Sequence, residues 1–373
     1  MKHFYFTCIF YFIFIKYYSQ FICNNIAFQK DTSIINRSLF FQFNSENFLR
    51  NNEYFNELYD GITFIGTNIN PYISFKFNPK TIFSFGWYGR IFNGKHNLFI
   101  NSIFYRVLYQ FNTKLTMVAG YIYGYNFHQL IEPLYSTDYF YLNKPETGLQ
   151  FIYNNTKLKS DLWLNWEKFI LPNDNFKEEF IIGNNSKIIL MSNKESIDIL
   201  LPINFVAKHK GGQVEVDNSP LQTYFNWASG IDLSIKFEKN KIGLYSYYTQ
   251  FNDVSHKKLL HYTDGYGIYS NVYFHSKNIE LYSGYWFGTF YYSPVGEPLY
   301  QSLSRKYVAY QEPVKNLILF KFRYKKLEWK NLFFALQFES YFDYQRKYFD
   351  FSYGLLINIA ETSLIKELKT TSE

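Results

Sequence analysis

Residues 225–237 read Phe225-Asn226-Trp227-Ala228-Ser229-Gly230-Ile231-Asp232-Leu233-Ser234-Ile235-Lys236-Phe237. Phe225, Trp227, Ile231, Leu233, Ile235 and Phe237 occupy odd positions, while Asn226, Asp232, Ser234 and Lys236 fall on even ones. Successive side chains of a strand point to opposite faces, so this segment is a strand with one apolar and one polar face. The turn Lys239-Asn240-Lys241 follows, and another aromatic-rich run begins. The unit recurs around Asn78-Pro79-Lys80, Asn112-Thr113-Lys114, Asn154-Asn155-Thr156-Lys157, Ser192-Asn193-Lys194 and Ser276-Lys277-Asn278. Alternating runs joined by short Asn-containing turns are antiparallel hairpins.

Working outward from 225–237, the alternation is equally clear in 331–343 and 349–359. Leu332, Phe334, Leu336 and Phe338 oppose Asn331, Gln337 and Glu339, and Phe349, Phe351, Tyr353, Leu355, Ile357 and Ile359 oppose Asp350, Ser352 and Asn358. The whole chain divides into about sixteen such strands, with fourteen as the next reading. Longer connections at 93–100, 127–145, 171–177, 209–222, 254–264 and 294–314 alternate with the short turns. Transmembrane β-barrels have short periplasmic turns, longer outer loops and an even strand count. The expected fold is therefore all-β: a transmembrane, antiparallel, up-and-down β-barrel with both termini on the periplasmic side.

Composition supports this. Tyr (37) and Phe (42) dominate and Met (3) is scarce, which favours strands. Mean hydropathy is −0.25, as expected of a wall in which alternate residues face lipid. Lys2 and His3 precede an apolar run, Phe4 to Ile15, broken only by Thr7. That is the pattern of a secretory signal, and the run is too short to span a bilayer as a helix. The expected organisation is a signal peptide over 1–19 with cleavage between 19 and 27, a short periplasmic segment over 20–37, the barrel over 38–360 and a periplasmic tail over 361–373. Cys8 lies in the signal and Cys23 near its end, so neither a disulfide framework nor a thiolate metal site can be built. The net charge of +7 is spread through turn lysines, which argues against nucleic acid as a partner. Tyr121, Tyr123 and Tyr125, with Tyr245 and Tyr247, are expected in an aromatic girdle at the membrane interface.

With the apolar face outward, the polar face lines the lumen. The expected lumen determinants are Arg106, Glu167, Lys208, Asp232, Lys321 and Arg323. A sixteen-stranded barrel is wide enough for an aqueous channel, unless a loop closes it. The 127–145 and 294–314 connections are long enough to fold inward, although such loops more often cap the outer surface. Rim candidates are Glu53, His209 and Gln213. They lie in the clusters Asn52-Glu53-Tyr54-Phe55 and His209-Lys210-Gly211-Gly212-Gln213; a third cluster is Trp166-Glu167-Lys168-Phe169, with Glu178 and Glu179 nearby. Rim salt bridges and a Gly-Gly turn are the plain reading of these clusters. Together with the aromatic strands and Asn/Lys turns, they resemble uncharacterised, porin-like outer-membrane barrels of the Bacteroidota. That resemblance implies fold and location and carries no catalytic residues.

No G-x-S-x-G, H-E-x-x-H, Walker or G-x-G-x-x-G motif is present. The sequence reading is thus a barrel without enzymatic activity, cofactor or metal. It would pass small hydrophilic solutes in the bacterial outer membrane, surrounded by lipid bilayer and lipopolysaccharide. The alternatives are a plugged barrel that binds periplasmic or surface protein partners, and an outer-membrane hydrolase.

Overall fold

A computed structural model describes residues 37–192, 197–212, 217–329 and 331–367. The signal-peptide and N-terminal expectations lie outside these residues, apart from Arg37. The sixteen strands are β1 (Ser38–Glu53), β2 (Thr63–Asn78), β3 (Thr81–Phe92), β4 (Ile100–Gln110), β5 (Leu115–Tyr121) and β6 (Thr147–Asn154). Then come β7 (Leu158–Lys168), β8 (Glu179–Ser192), β9 (Ile197–Lys210), β10 (Gln222–Phe237) and β11 (Asn240–Asp253). The circuit ends with β12 (Asp264–His275), β13 (Ile279–Thr289), β14 (Val314–Trp329), β15 (Leu332–Asp343) and β16 (Phe349–Glu367). Each strand pairs with its sequence neighbours, and β1 pairs with β16, so the sheet closes on itself. Closure leaves no edge with unpaired amides, which a hydrocarbon environment demands.

The seam corrects two expected boundaries. β1 continues through Glu53 instead of stopping near 44, and β16 runs to Glu367 instead of 360. Register explains both: Ser38 opposes Glu367 and Glu53 opposes Phe351, so each extension provides hydrogen bonds for the other. What reads as a tail in sequence is thus strand as far as Glu367.

Faces follow parity. On β10, Ile231, Leu233, Ile235 and Phe237 are exposed on the outer surface, while Asp232 and Ser234 are buried inside. The girdle expectation is corrected for all five named tyrosines. Tyr121, Tyr245 and Tyr247 point inward and are buried, and β5 ends at Tyr121, leaving Tyr123 and Tyr125 beyond the wall. Tyr245, Tyr247, Tyr269, Tyr273 and Tyr282 fill the interior instead. Tyrosine suits that position because its ring buries while its hydroxyl finds a polar partner; Tyr273 donates to Asp232 Oδ1 at 2.8 Å. The outward band toward the outer ends of the strands holds other aromatics: Trp166 against Phe180, Trp227 against Tyr248, and Tyr248 stacked on Tyr266.

The two long loops do not cap the barrel. Segments 122–146 and 290–313 turn inward, and Leu130, Ile131, Leu134, Tyr135, Val295, Leu299 and Tyr300 share the luminal core with the wall tyrosines. The lumen is therefore packed by a plug. The first segment carries two short helices, α1 (Tyr125–His128) and α2 (Thr137–Leu142), and the second a single 3-10 turn, Pro298–Tyr300. Gly124, with φ 71°, lets the chain leave the wall.

Leu49 and Leu355 are register partners across the seam. The Leu49→Cys/Leu355→Cys pair should oxidise into a covalent ring. On gels, the boiled protein should then keep an altered mobility until a reductant is added.

Candidate functional site: the luminal plug and its cavity

The plug is fastened to the wall by buried charges. Arg90 on β3 donates from Nη1 to the carbonyls of Phe140, Tyr141 and Asn143, at 2.9, 2.7 and 2.9 Å. A cation there satisfies the orphan carbonyls at the end of α2. At the other end of α2, Asp138 accepts from Asn52 Nδ2 at 2.9 Å and pairs with Arg50 Nε at 3.4 Å. Arg50 also bonds Glu339 through Nη2 at 3.0 Å. On β14, Lys321 pairs with Glu132 of the plug, and Tyr300 donates to Glu132 Oε2 at 2.6 Å. The two inward segments are tied to each other: Ser136 N–H donates to the Val295 carbonyl at 2.8 Å, and Ser136 Oγ donates to Glu297 Oε2 at 2.9 Å. Breaking one member of such a buried pair strands the other charge, at a cost of about 3–5 kcal/mol.

One cluster in the plug has the composition of an acid–base relay. His128, at the end of α1, is fully buried and lies flat on Trp163, with ring centroids 3.5 Å apart. Its Nδ1 meets Asp161 Oδ2 at 2.7 Å and its Nε2 meets Glu146 Oε2 at 3.0 Å. Gln150 donates to the second Asp161 oxygen at 2.8 Å, and the Tyr135 hydroxyl donates to Glu146 Oε1 at 2.9 Å. Burial by itself disfavours the imidazolium. Glu146 and then Asp161 outweigh burial and raise the His128 pKa to about 9. His128 is thus a cation at neutral pH, donating to a carboxylate on each side.

Glu146 and Tyr135 also border a cavity of about 170 Å³ between the plug and the wall of β1–β5. Arg106 lies beside it, buried between the rings of Tyr123 (4.4 Å) and Phe104 (5.2 Å), with its Nε donating to the Tyr121 carbonyl at 2.7 Å. Among the described residues, no three His, Cys, Asp or Glu side chains converge to hold a metal ion.

The six lumen candidates all face inward, but the fold distributes them. Arg106 reaches the cavity. Lys208 pairs with Glu167 at 3.0 Å and Glu179 at 3.4 Å. Asp232 holds Tyr273, and Lys321 holds the plug. Arg323 pairs with Glu280 at 2.6 Å. The rim candidates are not brought together. Glu53 ends β1, where it accepts from Asn51 at 2.6 Å. His209 ends β9, on the opposite side of the ring. There it bonds Thr223 Oγ1 at 2.8 Å and packs on Phe180. Gln213 lies outside the described residues. Sequence reasoning missed His128, Asp161 with Glu146, and the Arg50–Asp138 and Lys321–Glu132 fastenings. Its one available signal was the richness of the 122–146 segment in His, Glu, Asp and Tyr.

Three comparisons bear on this site. The sequence model of a family described as Lipid A 3'-O-deacylase-type matches residues 28–368. Comparison with curated proteins finds no match. Among solved structures, the chain is similar to the outer membrane protein OprD from Pseudomonas aeruginosa (8% identity, 88% of this chain and 95% of that one, TM-score 0.51). It is also similar to a loop L8 deletion mutant of OmpT, an outer membrane protein of Vibrio cholerae (9% identity, 87% and 100%, TM-score 0.50). A third likeness is to Pseudomonas aeruginosa OccK2 (OpdF) in complex with glucuronate (8% identity, 88% and 97%, TM-score 0.50). The fold is that of outer-membrane porins, and the protein is an outer-membrane β-barrel. The expectation of a barrel without enzymatic activity is corrected: the matching family, which spans the whole barrel, carries the name of an enzyme.

Two outcomes are expected. The raised His128 pKa stabilises the plug fully below about pH 6.5, and that stability is lost as pH rises through about 9. The effect is about 3 kcal/mol. Glu297, whose pKa is raised by burial and then by Asp138, acts in the same sense over a lower window. Hydrogen-exchange protection of amides 124–146, corrected for intrinsic rates, should therefore fall toward pH 9.5, and His128→Gln should flatten the high-pH part of that dependence. Separately, Lys321→Glu should repel Glu132 and loosen the plug, seen as larger and longer current steps in planar bilayers than the unaltered protein gives.

Proposed function

The chain belongs to the lipid A 3'-O-deacylase-type family, and on that premise we propose that it is an outer-membrane hydrolase. It removes an ester-linked acyl chain from lipid A or a related glycolipid of the outer leaflet. Within the structure, the observation that carries this reading is the Asp161–His128–Glu146 relay, which ends on the wall of a cavity. Ester hydrolysis needs a base for the attacking water and donors for the developing oxyanion. Among the described residues that border the cavity there is no Ser, Thr or Cys, so water is the nucleophile in this reading.

Glu146 is the catalytic base. Its two oxygens are held by His128 and by Tyr135, and these two bonds fix the orientation of the carboxylate. Water adds to the acyl carbonyl as Glu146 takes its proton. The tetrahedral intermediate collapses, and that proton passes to the departing sugar oxygen, leaving a free fatty acid and an alcohol. Arg106 is a cation beside the cavity that can offset oxyanion charge; the single proton of the Tyr135 hydroxyl stays on Glu146. His128 and Asp161 are positioning residues that act through Glu146. In this reading the bilayer and its lipopolysaccharide are both the surroundings and the source of substrate.

The test is mass spectrometry of lipid A from cells with and without the protein. The expected result is loss of one ester-linked acyl chain, with a rate about 10²-fold lower or less for Glu146→Gln. His128→Gln should shift the pH profile of the reaction as well as slow it. Unchanged lipid A in cells that contain the folded barrel would remove the reading.

A second reading, passage of small hydrophilic solutes, is supported by the charged wall away from the plug. There Asp198 pairs with Lys236 and Lys241, and Glu280 pairs with Arg323 and Lys325. It requires the plug to release part of the lumen. Discrete current steps from the unaltered protein in a planar bilayer would support it, and silence from a folded barrel would count against it.

A further inference from the structure

Below the plug, the inner wall carries unbalanced charge. Asn185 on β8 donates to the His128 and Gln129 carbonyls at 2.6 and 3.1 Å, which marks the floor of the plug. The next inward residue of β8 toward the periplasm is Lys187, and it stands directly opposite Lys159 on β7. Lys159 shares the inward face of β7 with Asp161, which meets His128. Both lysines are half-buried. Directly opposed residues have Cβ atoms about 5 Å apart, and like charges there repel. The same arrangement recurs farther round the arc, where Lys236 on β10 stands opposite Lys241 on β11.

Carboxylates offset only part of this charge. Asp198 pairs with both Lys236 and Lys241. Glu280 pairs with both Arg323 and Lys325 on β14. Asp232 accepts from Tyr273. With Lys159 and Lys187, the periplasmic side of the inner face of β7–β14 therefore holds more cations than carboxylates among the described residues. Lys187 Nζ approaches the Gln129 side-chain oxygen at 3.5 Å, an uncharged group that leaves the surplus in place. Across the lumen, inward residues include Gln42, Ser74 and Ser84, which are neutral, and Lys76, which adds to the surplus. We propose that this part of the lumen binds a phosphate-bearing anion that enters from the periplasm, held between Lys159 and Lys187. Each ammonium presents three donors, and two of them converging from adjacent strands suit one tetrahedral dianion. The plug closes the other side, so a lipid headgroup in the outer leaflet does not reach it. The site needs neither the relay nor an open plug, so it stands apart from both readings above.

The experiment is isothermal titration of the full-length, detergent-solubilised barrel at low ionic strength with inorganic phosphate and with glycerol 3-phosphate. Heat-modifiable gel mobility shows that each sample is folded. Saturable binding of at least one anion is expected, and the tighter of the two tells free phosphate from an organic ester. Affinity should fall about tenfold in Lys159→Gln and in Lys187→Gln, as loss of one charge-assisted hydrogen bond predicts. Lys187→Arg, which keeps the charge, should retain most of it. Lys277→Gln, in the exposed β12–β13 turn, removes the same charge elsewhere and should leave affinity unchanged. Three results would overturn the proposal. One is no saturable binding of either anion by the folded protein, and another is unchanged affinity in a Lys159→Gln/Lys187→Gln double variant. The third is an equal loss in Lys277→Gln, which would mean diffuse attraction to a basic protein. Because binding is read without turnover or current, failure here is separate from failure of the hydrolase or the passage reading.

Discussion

A backbone amide that faces hydrocarbon has no water to bond, so every strand crossing the bilayer must find both its partners inside the protein. The rest of this structure depends on that constraint. It forces the β1–β16 seam to be as long as the strands allow, which is why β16 continues to Glu367 opposite Ser38. It also fixes the parity of every side chain, because a closed ladder has one outside and one inside. The apolar residues of β10 face lipid, and Asp232, Ser234 and their counterparts on other strands go to the lumen.

Closure by sixteen strands creates an interior too wide for the wall's own side chains to fill. The protein fills it with two loops and a layer of tyrosines. Their contacts are polar where they meet charged wall positions and apolar where they meet each other. Arg90 on β3 at the end of α2, Arg50 on β1 at its start and Lys321 on β14 at Glu132 hold the plug to the wall. Buried charges of this kind give little net stability compared with apolar replacements, but they are costly to break singly and they define one arrangement. A loosely packed loop could not position His128 between two carboxylates at 2.7 and 3.0 Å; a fastened one can.

Porin-like architecture and an enzyme family's name are compatible here for a physical reason. The barrel is a scaffold whose fold says little about activity, and chemistry resides in whatever the loops bring to the lumen. In this chain they bring a carboxylate, oriented by an imidazolium behind it, to a cavity that an arginine of the wall also borders. The porin-like wall supplies Asp161, Trp163 and Arg106; the plug supplies His128, Tyr135 and Glu146.

Much of the fold was legible in the sequence, because alternation with period two and the Asn/Lys turns are local signals. Sixteen strands, the short turns and the inward direction of Arg106, Glu167, Lys208, Asp232, Lys321 and Arg323 all follow from parity. Aromatic placement was legible only in part. A tyrosine suits a membrane girdle and a polar lumen equally well, and Tyr245 and Tyr247 took the lumen. The His128 cluster was not legible. His128, Glu146 and Asp161 come from a loop helix, a loop end and a strand, and no spacing rule links them. Glu53 and His209 look alike as rim residues in sequence, yet they stand on opposite sides of the ring. Which face of each strand meets lipid, and a count of about sixteen strands, could be read from the chain, since those depend on neighbours along it. The entry of the two long loops into the lumen, and the choice of charges that meet there, came only with the folded ring. Those contacts join residues far apart in sequence, and their energies exist only once the ring has closed around them.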